Sequence, residues 1–449
     1  MTGFNKRTIQ KALSLARRRV RWLLRPPRVG GVAQRMFPGA LRIDRNEEEA
    51  AVEAVREVIR SKKLFRYYGL SPGLLQASKG LEFERAFASH IGVEHALAVN
   101  SGTSALVCAL AGLGIGPGDE VVVPAYTWFS TPSSVVAVGA VPIIAEVDES
   151  LTLDVADVRA KISPYTKAII PVHMRGAPAR MDKLMELARE KRLFVLEDVA
   201  QAAGGEFRGR ALGSIGDVGA FSFQMSKIMT AGEGGMVTTS DRAVYLRAAM
   251  YHDTAVCPHM GVSIDDWLPG LNLRMSELHA AVLLVQFARL ERIVADMRAR
   301  KARLKEMVRD GLERKAVRFR TIHDPAGDAS VALIFYLPDA SRAKRVASAL
   351  ADENVPASRL YQDMQYLPHD HIDLHAYPAW TPILRKRAWS AEGGPWRRHP
   401  REIDYSDDMC PATMGLLRRA IHLDVSPDLT EHQLEQMGAA VLEAIRQHV

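Results

Sequence analysis

Seven short runs of almost unbroken apolar residues constrain this chain more than any other feature. They are HALAVN (95–100), EVVVP (120–124), VPIIAEV (141–147), KAIIPVHM (167–174), LFVLED (193–198), VGAFSFQ (218–224) and GGMVTTS (234–240), with helical patterns between most of them. A strand with one wet face alternates apolar and polar residues. A strand apolar on nearly every residue must be covered on both faces, as in a mainly parallel sheet between helical layers. The expected fold is therefore α/β, a mainly parallel seven-stranded sheet flanked by helices, followed by a long helix over about 275–312. Beyond it the pattern gives a strand, VALIFYL (331–337), a helix from about 340 to 353 and a closing helix over 430–447, which describes a smaller α+β domain. Between these, 356–425 is rich in Pro, Trp and His with little periodicity, and a stretch that long inside an enzyme reads as a functional loop region. The expected division is a leader (1–37), a large domain (38–312) and a small C-terminal domain (313–449).

At 449 residues the chain suits a two-domain enzyme. Its three cysteines, Cys108, Cys257 and Cys410, are too few and too scattered for a disulfide or zinc framework, so no metal site is expected. No run of about 18 apolar residues is present to span a membrane, and arginines break the apolar stretches a secretory signal would need. The reading is cytoplasmic. The net charge of +7 is unevenly spread: residues 1–35 hold ten Lys or Arg and no acid, leaving −3 for the rest. The body of the protein gives no hint of nucleic-acid binding. Within the leader, Ile9, Ala12, Leu13, Ala16, Val20, Leu23 and Leu24 follow helical spacing with basic residues mostly opposite. Two readings stand side by side, an upstream start before Met36 and a helix lying peripherally on the inner membrane surface.

In open α/β sheets ligands bind at the carboxyl ends of the strands. Reading those ends in turn, HALAVN leads into Asn100-Ser101-Gly102-Thr103-Ser104 at a helix start, where free N–H groups make an anion seat. EVVVP leads to Tyr126-Thr127-Trp128, LFVL to Glu197, Asp198 and Gln201, and VGAFSFQ to Ser226-Lys227. One edge thus offers a phosphate seat, an aromatic face, a carboxylate and a lysine, the groups a pyridoxal 5′-phosphate (PLP) ring requires. Each has a plainer alternative: an N-cap for Gly102-Thr103-Ser104, a core aromatic for Trp128, a helix cap for Asp198 and a solvated amine for Lys227. Gly112, Gly114, Gly116 and Gly118 precede a strand and read as a turn rather than a nucleotide loop.

The blocks NSGTSAL (100–106), GDEVVVPAYTW (118–128), EDVAQAAGGEFRGRALGSIGDVGAFSFQMSK (197–227), TAGEGGMVTT (230–239) and GLNLRMSELHAA (270–281) carry a further signal. Through them, residues from about 40 onward resemble the DegT/DnrJ/EryC1/StrS sugar aminotransferases, a branch of the fold-type I PLP enzymes. The resemblance implies a catalytic pair, Lys227 carrying the cofactor and moving protons, and Asp198 pairing with the pyridinium nitrogen. It implies that Gln201 bonds the ring 3-oxygen, that Trp128 lies against the ring, and that Thr103, Ser104 and Ser222 bind the phosphate with Gly102 allowing close approach. It also implies a homodimer in which Asn272 reaches the partner's phosphate. Relatives with histidine in place of the lysine dehydrate rather than aminate, and Lys227 favours transamination.

The lysine block SFQMSKIMTAGEGG lacks the proline two residues before the lysine and the asparagine after it that many nucleotide-sugar members have. It looks more like the branch acting on cyclitols and on the aminohydroxybenzoate precursor, as do HAYPAWTPI (375–383) and MCP (409–411). The expected reaction moves an amino group from glutamate or glutamine to a keto sugar or keto cyclitol. The alternatives are a nucleotide-linked keto-hexose acceptor and a non-catalytic member of the same fold. His173 and Arg175 at one strand end, with His375, Tyr377 and Trp380 in the late stretch, are the expected substrate contacts, a structural loop being the plainer reading of the last three.

Overall fold

The computed structural model describes residues 45–67, 78–254, 262–361, 373–390 and 393–449. The basic leader and Met36 lie outside them. Helices α1 (Arg45–Ser61) and α2 (Lys79–Ile91) lead into β1 (His95–Val99). Then come α3 (Gly102–Gly112), β2 (Glu120–Pro124), α4 (Ser130–Ala137), β3 (Val141–Ala145), α5 (Val155–Lys161), β4 (Thr166–Ile169), α6 (Met181–Lys191) and β5 (Phe194–Asp198). A two-residue ribbon, β6 (Glu206–Phe207) and β7 (Arg210–Ala211), precedes β8 (Val218–Ser222), β9 (Gly235–Thr239) and α7 (Arg242–His252).

All seven apolar runs are strands of one sheet, in the order β1-β9-β8-β5-β4-β2-β3. Strands β3, β2, β4, β5 and β8 pair parallel, and β9 is antiparallel to β8 and β1. Strands β2, β3, β8 and β9 are buried at every residue, which explains their unbroken apolar character. Behind β1 and β8 the core closes on edge-to-face aromatics, Phe87 lying 4.9 Å from Phe221 and 5.8 Å from Phe223 between ring centres.

The long helix expected over 275–312 is two, α8 (Glu277–Phe287) and α9 (Leu290–Glu313). No glycine or proline marks the break. Its cause is tertiary: α8 packs on α1 and α2, whereas α9 packs on the closing helix, so each half buries its own face. A second sheet, antiparallel throughout, follows in the order β10 (Arg318–Phe319), β11 (Ala332–Tyr336), β13 (Ala420–Asp424), β12 (Ala357–Arg359). Helices α10 (Ala340–Asp352), α11 (Thr381–Leu384), α12 (Pro395–Arg398), α13 (Pro411–Arg419) and α14 (Glu431–His448) complete the chain. Two strands and three of these helices come from the 356–425 stretch expected to be loop. They are short, and β13 carries His422 inside its buried run, so neither period is long enough to show in the sequence.

One piece of that stretch serves the large sheet. Thr127 N–H donates to His375 O at 2.8 Å, Tyr377 N–H donates to Ala125 O at 2.9 Å, and Tyr126 bridges Ala376 antiparallel. The segment 375–377 thereby extends the sheet edge just past the carboxyl end of β2.

Candidate active site

Strand β5 delivers two adjacent carboxylates, and the alternation of a strand sends them to opposite faces. Asp198 is 4% exposed. Thr131 Oγ1 donates to its Oδ2 at 2.8 Å, and Ala200 N–H donates to its Oδ1 at 3.1 Å. Because Thr131 spends its proton on Asp198, Thr127 Oγ1, 2.8 Å away, donates to Thr131. Burial pushes the Asp198 carboxyl above its usual value, against these donors and the nearby Lys227. Glu197, fully buried, accepts Ile215 and Gly216 N–H at 2.6 and 2.7 Å and lies 3.1 Å from His173 Nε2. Burial alone would raise this carboxyl, but His173 and the backbone donors overcome it and hold it below its usual value.

Lys227 sits in the turn that follows β8, its N–H donating to Gln224 O at 2.9 Å. No hydrogen bond or ion pair holds its side chain among the described residues. Burial, helped by the charge of Arg175 and opposed by Asp198, lowers its pKa to about 8. A lysine in that state is neutral for an appreciable fraction of its time near neutral pH, as a nucleophile must be.

Across the cleft, α3 begins at Gly102, with Ser101 Oγ accepting Ser104 N–H at 3.1 Å as the N-cap. Ser104 Oγ donates to Asn100 Oδ1 at 2.6 Å, and Thr103 Oγ1 lies 2.9 Å from Ser130 Oγ. A Cβ on Gly102 would stand 2.5 Å from Ser222 Cβ, so only glycine lets the helix start close on the end of β8. The Gly102 and Thr103 amides are among those a helix leaves without an intrahelical partner. The structure therefore brings Gly102, Thr103, Ser104 and Ser222 together as one small polar seat.

Gln201 follows one turn after Asp198, its Oε1 accepting Arg175 N–H at 3.1 Å. Trp128 is 44% exposed and lies 5.0 Å from the His375 ring, which also faces Tyr126. His375 bonds Asp373, and burial together with Arg175 lowers its pKa despite that partner. Arg175 itself lies in the left-handed region (φ 53°, ψ 41°), which costs a residue with a Cβ about 1–2 kcal/mol. Asn272 is exposed, in a bridge with Asp253, and the next residue, Leu273, accepts Asn100 N–H at 2.8 Å.

Three expected substrate contacts are otherwise employed. His173 is fully buried, and Ala179 N–H donates to its Nδ1 at 3.1 Å, so its proton is on Nε2 and goes to Glu197. Tyr377, also buried, donates from its hydroxyl to Asp407 O and accepts Cys410 N–H at 3.3 Å. Trp380 is buried with Nε1 donating to Leu374 O at 2.8 Å. All three brace the walls instead. Sequence reasoning missed Thr131 and Asp373, and placed Tyr126 at the strand end without a role. The repeat of threonine at 127 and 131, one helical turn apart, was the available signal for the first. Tyr126 and Asp373 gain their place only through the long-range pairing of 375–377.

These groups suit a planar phosphate-bearing cofactor: an anion seat, a buried carboxylate, an exposed aromatic face and an unpaired amine share one edge. No group of three or more His, Cys, Asp or Glu able to hold a metal occurs among the described residues, and none of their helices is long and apolar enough to cross a membrane.

The DegT/DnrJ/EryC1/StrS aminotransferase family model matches residues 46–377. The chain is 34% identical to L-glutamine:2-deoxy-scyllo-inosose aminotransferase of Streptoalloteichus tenebrarius over 89% of this chain and 92% of that one. It is 43% identical to GDP-perosamine synthase of Caulobacter vibrioides over 48% of this chain, a match spanning 58% of that protein's length. Among solved structures, 3-amino-5-hydroxybenzoic acid synthase aligns with a TM-score of 0.74 and 27% identity, covering 92% of this chain and 99% of that one. DesV of S. venezuelae aligns with a TM-score of 0.70 and 28% identity, over 91% and 99%. With the edge geometry, these matches establish that the chain belongs to the DegT/DnrJ/EryC1/StrS aminotransferase family and is a PLP-dependent aminotransferase of fold type I.

Proposed function

We propose that this enzyme moves an amino group from glutamate or glutamine to a polyhydroxylated cyclic ketone, a keto sugar or keto cyclitol. The observation that carries this reading is the glutamine:cyclitol aminotransferase likeness, which extends over nearly the full length of both chains. When bound, the cofactor supplies a carbonyl that takes up an amine and a ring that absorbs electron density. The chain supplies the rest. Lys227 Nζ would hold the cofactor and act as base and then acid in the 1,3-proton shift, taking a proton from one carbon and returning it to another. Asp198, which accepts from Thr131 and Ala200, would pair with the ring nitrogen and hold a proton there. Gln201 bonds the ring 3-oxygen, Trp128 covers one face, and Gly102, Thr103, Ser104 and Ser222 seat the phosphate.

A panel of keto cyclitols, keto sugars and nucleotide-linked keto-hexoses, each with glutamate or glutamine, tests the reading. Ping-pong kinetics with a cyclic ketone supports it; efficient exchange only among ordinary amino acids and oxo acids sinks it. A nucleotide-linked acceptor is the second reading, favoured by the 43% identity with GDP-perosamine synthase.

The site is completed across a homodimer, the exposed Asn272 reaching the partner's phosphate. Mixing inactive Lys227→Ala with inactive Asn272→Ala subunits then restores some activity; no recovery after verified exchange refutes a shared site. The chain divides into a large domain (38–312) and a small one (313–449), in the cytoplasm. Residues 1–35 tether it to anionic membrane, each basic residue adding about 1 kcal/mol near the surface. Salt-sensitive vesicle binding that is lost in residues 36–449 supports tethering, and equal binding by both proteins excludes it.

A further inference from the structure

The turn after β4 holds Arg175 from three sides. Its N–H donates to Gln201 Oε1 at 3.1 Å, Ala177 N–H donates to Met174 O at 3.3 Å, and Ala329 N–H donates to Gly176 O at 3.0 Å. Surroundings that fix a left-handed residue this firmly are found where strain serves a site. Among the described residues the half-buried side chain makes a single hydrogen bond, from Nε to the Tyr126 hydroxyl at 3.4 Å. Its two terminal nitrogens have no hydrogen-bond or ion-pair partner among the described residues. The charge of Arg175 acts on Lys227, His375, Asp373 and Asp424, so the guanidinium stands in the same cleft as the lysine. Neither carboxylate closes on it: Asp373 bonds His375, and Asp424 lies 3.4 Å from His422 Nε2. Burial works against its charge, yet Tyr126 and these carboxylates outweigh burial and keep it protonated.

A permanently charged, planar fork with its donors unused calls for a planar anion, and a carboxylate matches it with two parallel N–H···O bonds. We propose that Arg175 clamps the α-carboxylate of the amino-acid donor and so selects amino acids over other amines. The inference rests on the proposed two-step amino transfer. Donor and ring ketone must occupy the same space beside Lys227 in turn, and of the two only the donor always brings a carboxylate. The ketone presents hydroxyls to Arg175, with which hydrogen bonds are weaker than with an anion. Arg175 is thus a specificity-determining residue for the first half-reaction.

The test couples the side chain to the carboxylate itself. Loaded enzyme is mixed with glutamine, with glutamate and with the α-carboxamide of each, and loss of the near-visible band is followed for wild type, Arg175→Gln and Arg175→Lys. Wild type should favour the free carboxylate by roughly 10- to 100-fold. Arg175→Gln should lose that preference while keeping the band of the loaded enzyme, and Arg175→Lys should fall between. An undiminished preference in Arg175→Gln overturns the assignment. Calorimetric titration of loaded enzyme with glutarate decides independently of turnover: binding should weaken at least tenfold in Arg175→Gln, and equal binding overturns the clamp. If wild type reacts with neither amino acid, the proposed donor fails, while the glutarate titration still rules on Arg175.

Discussion

Glu197 and Asp198 are neighbours in sequence, both buried, both at the end of β5, yet the two faces they occupy do different work. On the Glu197 face every donor is matched: two backbone N–H groups and the His173 Nε2–H fill the carboxylate, and Ala179 fills the other side of the imidazole. On the Asp198 face the balance is left open. Burial pushes that carboxyl up, and among the described residues the Lys227 amine and the two terminal nitrogens of Arg175 have no hydrogen-bond or ion-pair partner. A closed network specifies structure; an open one waits for ligand. The same division separates His173 from Arg175, two residues apart on one strand end.

The contrast is broken most sharply by neutralising each face in turn. Asp198→Asn should leave folding almost untouched and cut turnover on the order of 10²- to 10³-fold, the scale set by removing one preorganised electrostatic group. Steady-state rates with parallel thermal melts check both halves. Glu197→Ala should do the reverse, lowering stability by about 3–5 kcal/mol because His173 and two N–H groups lose a buried partner. Denaturant titration reads that loss, and surviving folded enzyme should still take up cofactor.

A smaller effect sharpens the electrostatics of the open face. Only neutral Lys227 attacks, so uptake of cofactor by the apoprotein should speed up with rising pH, with its midpoint near 8. Arg175→Gln removes a repelling charge and should move the midpoint up; Asp198→Asn removes an attracting one and should move it down. Opposite shifts would mean the charges are wrongly placed. The smallest change, Tyr377→Phe, should cost about 1 kcal/mol of stability, from the lost hydroxyl bonds, with KM for the ketone unchanged. A rise in KM alone would return Tyr377 to the substrate.

How far the sequence could be read follows the same line. The seven strands were legible because burial on both faces leaves an unbroken apolar signature, and the strand-end rule then placed Asp198, Gln201 and Lys227 at one edge, Ser222 coming only from the family resemblance. What escaped depends on distance. The break between α8 and α9 arises from two packing partners and leaves no local mark. His375 reaches the edge only because residues 375–377 pair with 125–127 across some 250 positions of chain. The functions of His173 and Arg175 could not be separated, since nothing in HMRG tells which side chain finds its donors satisfied and which is left exposed to the cleft.

Borohydride reduction of the loaded enzyme, followed by peptide mapping, addresses the central assignment most directly. The near-visible band should vanish on reduction and the cofactor label should appear on Lys227, with Lys227→Ala unlabelled and inactive. Label on another lysine, or normal turnover by Lys227→Ala, would contradict it.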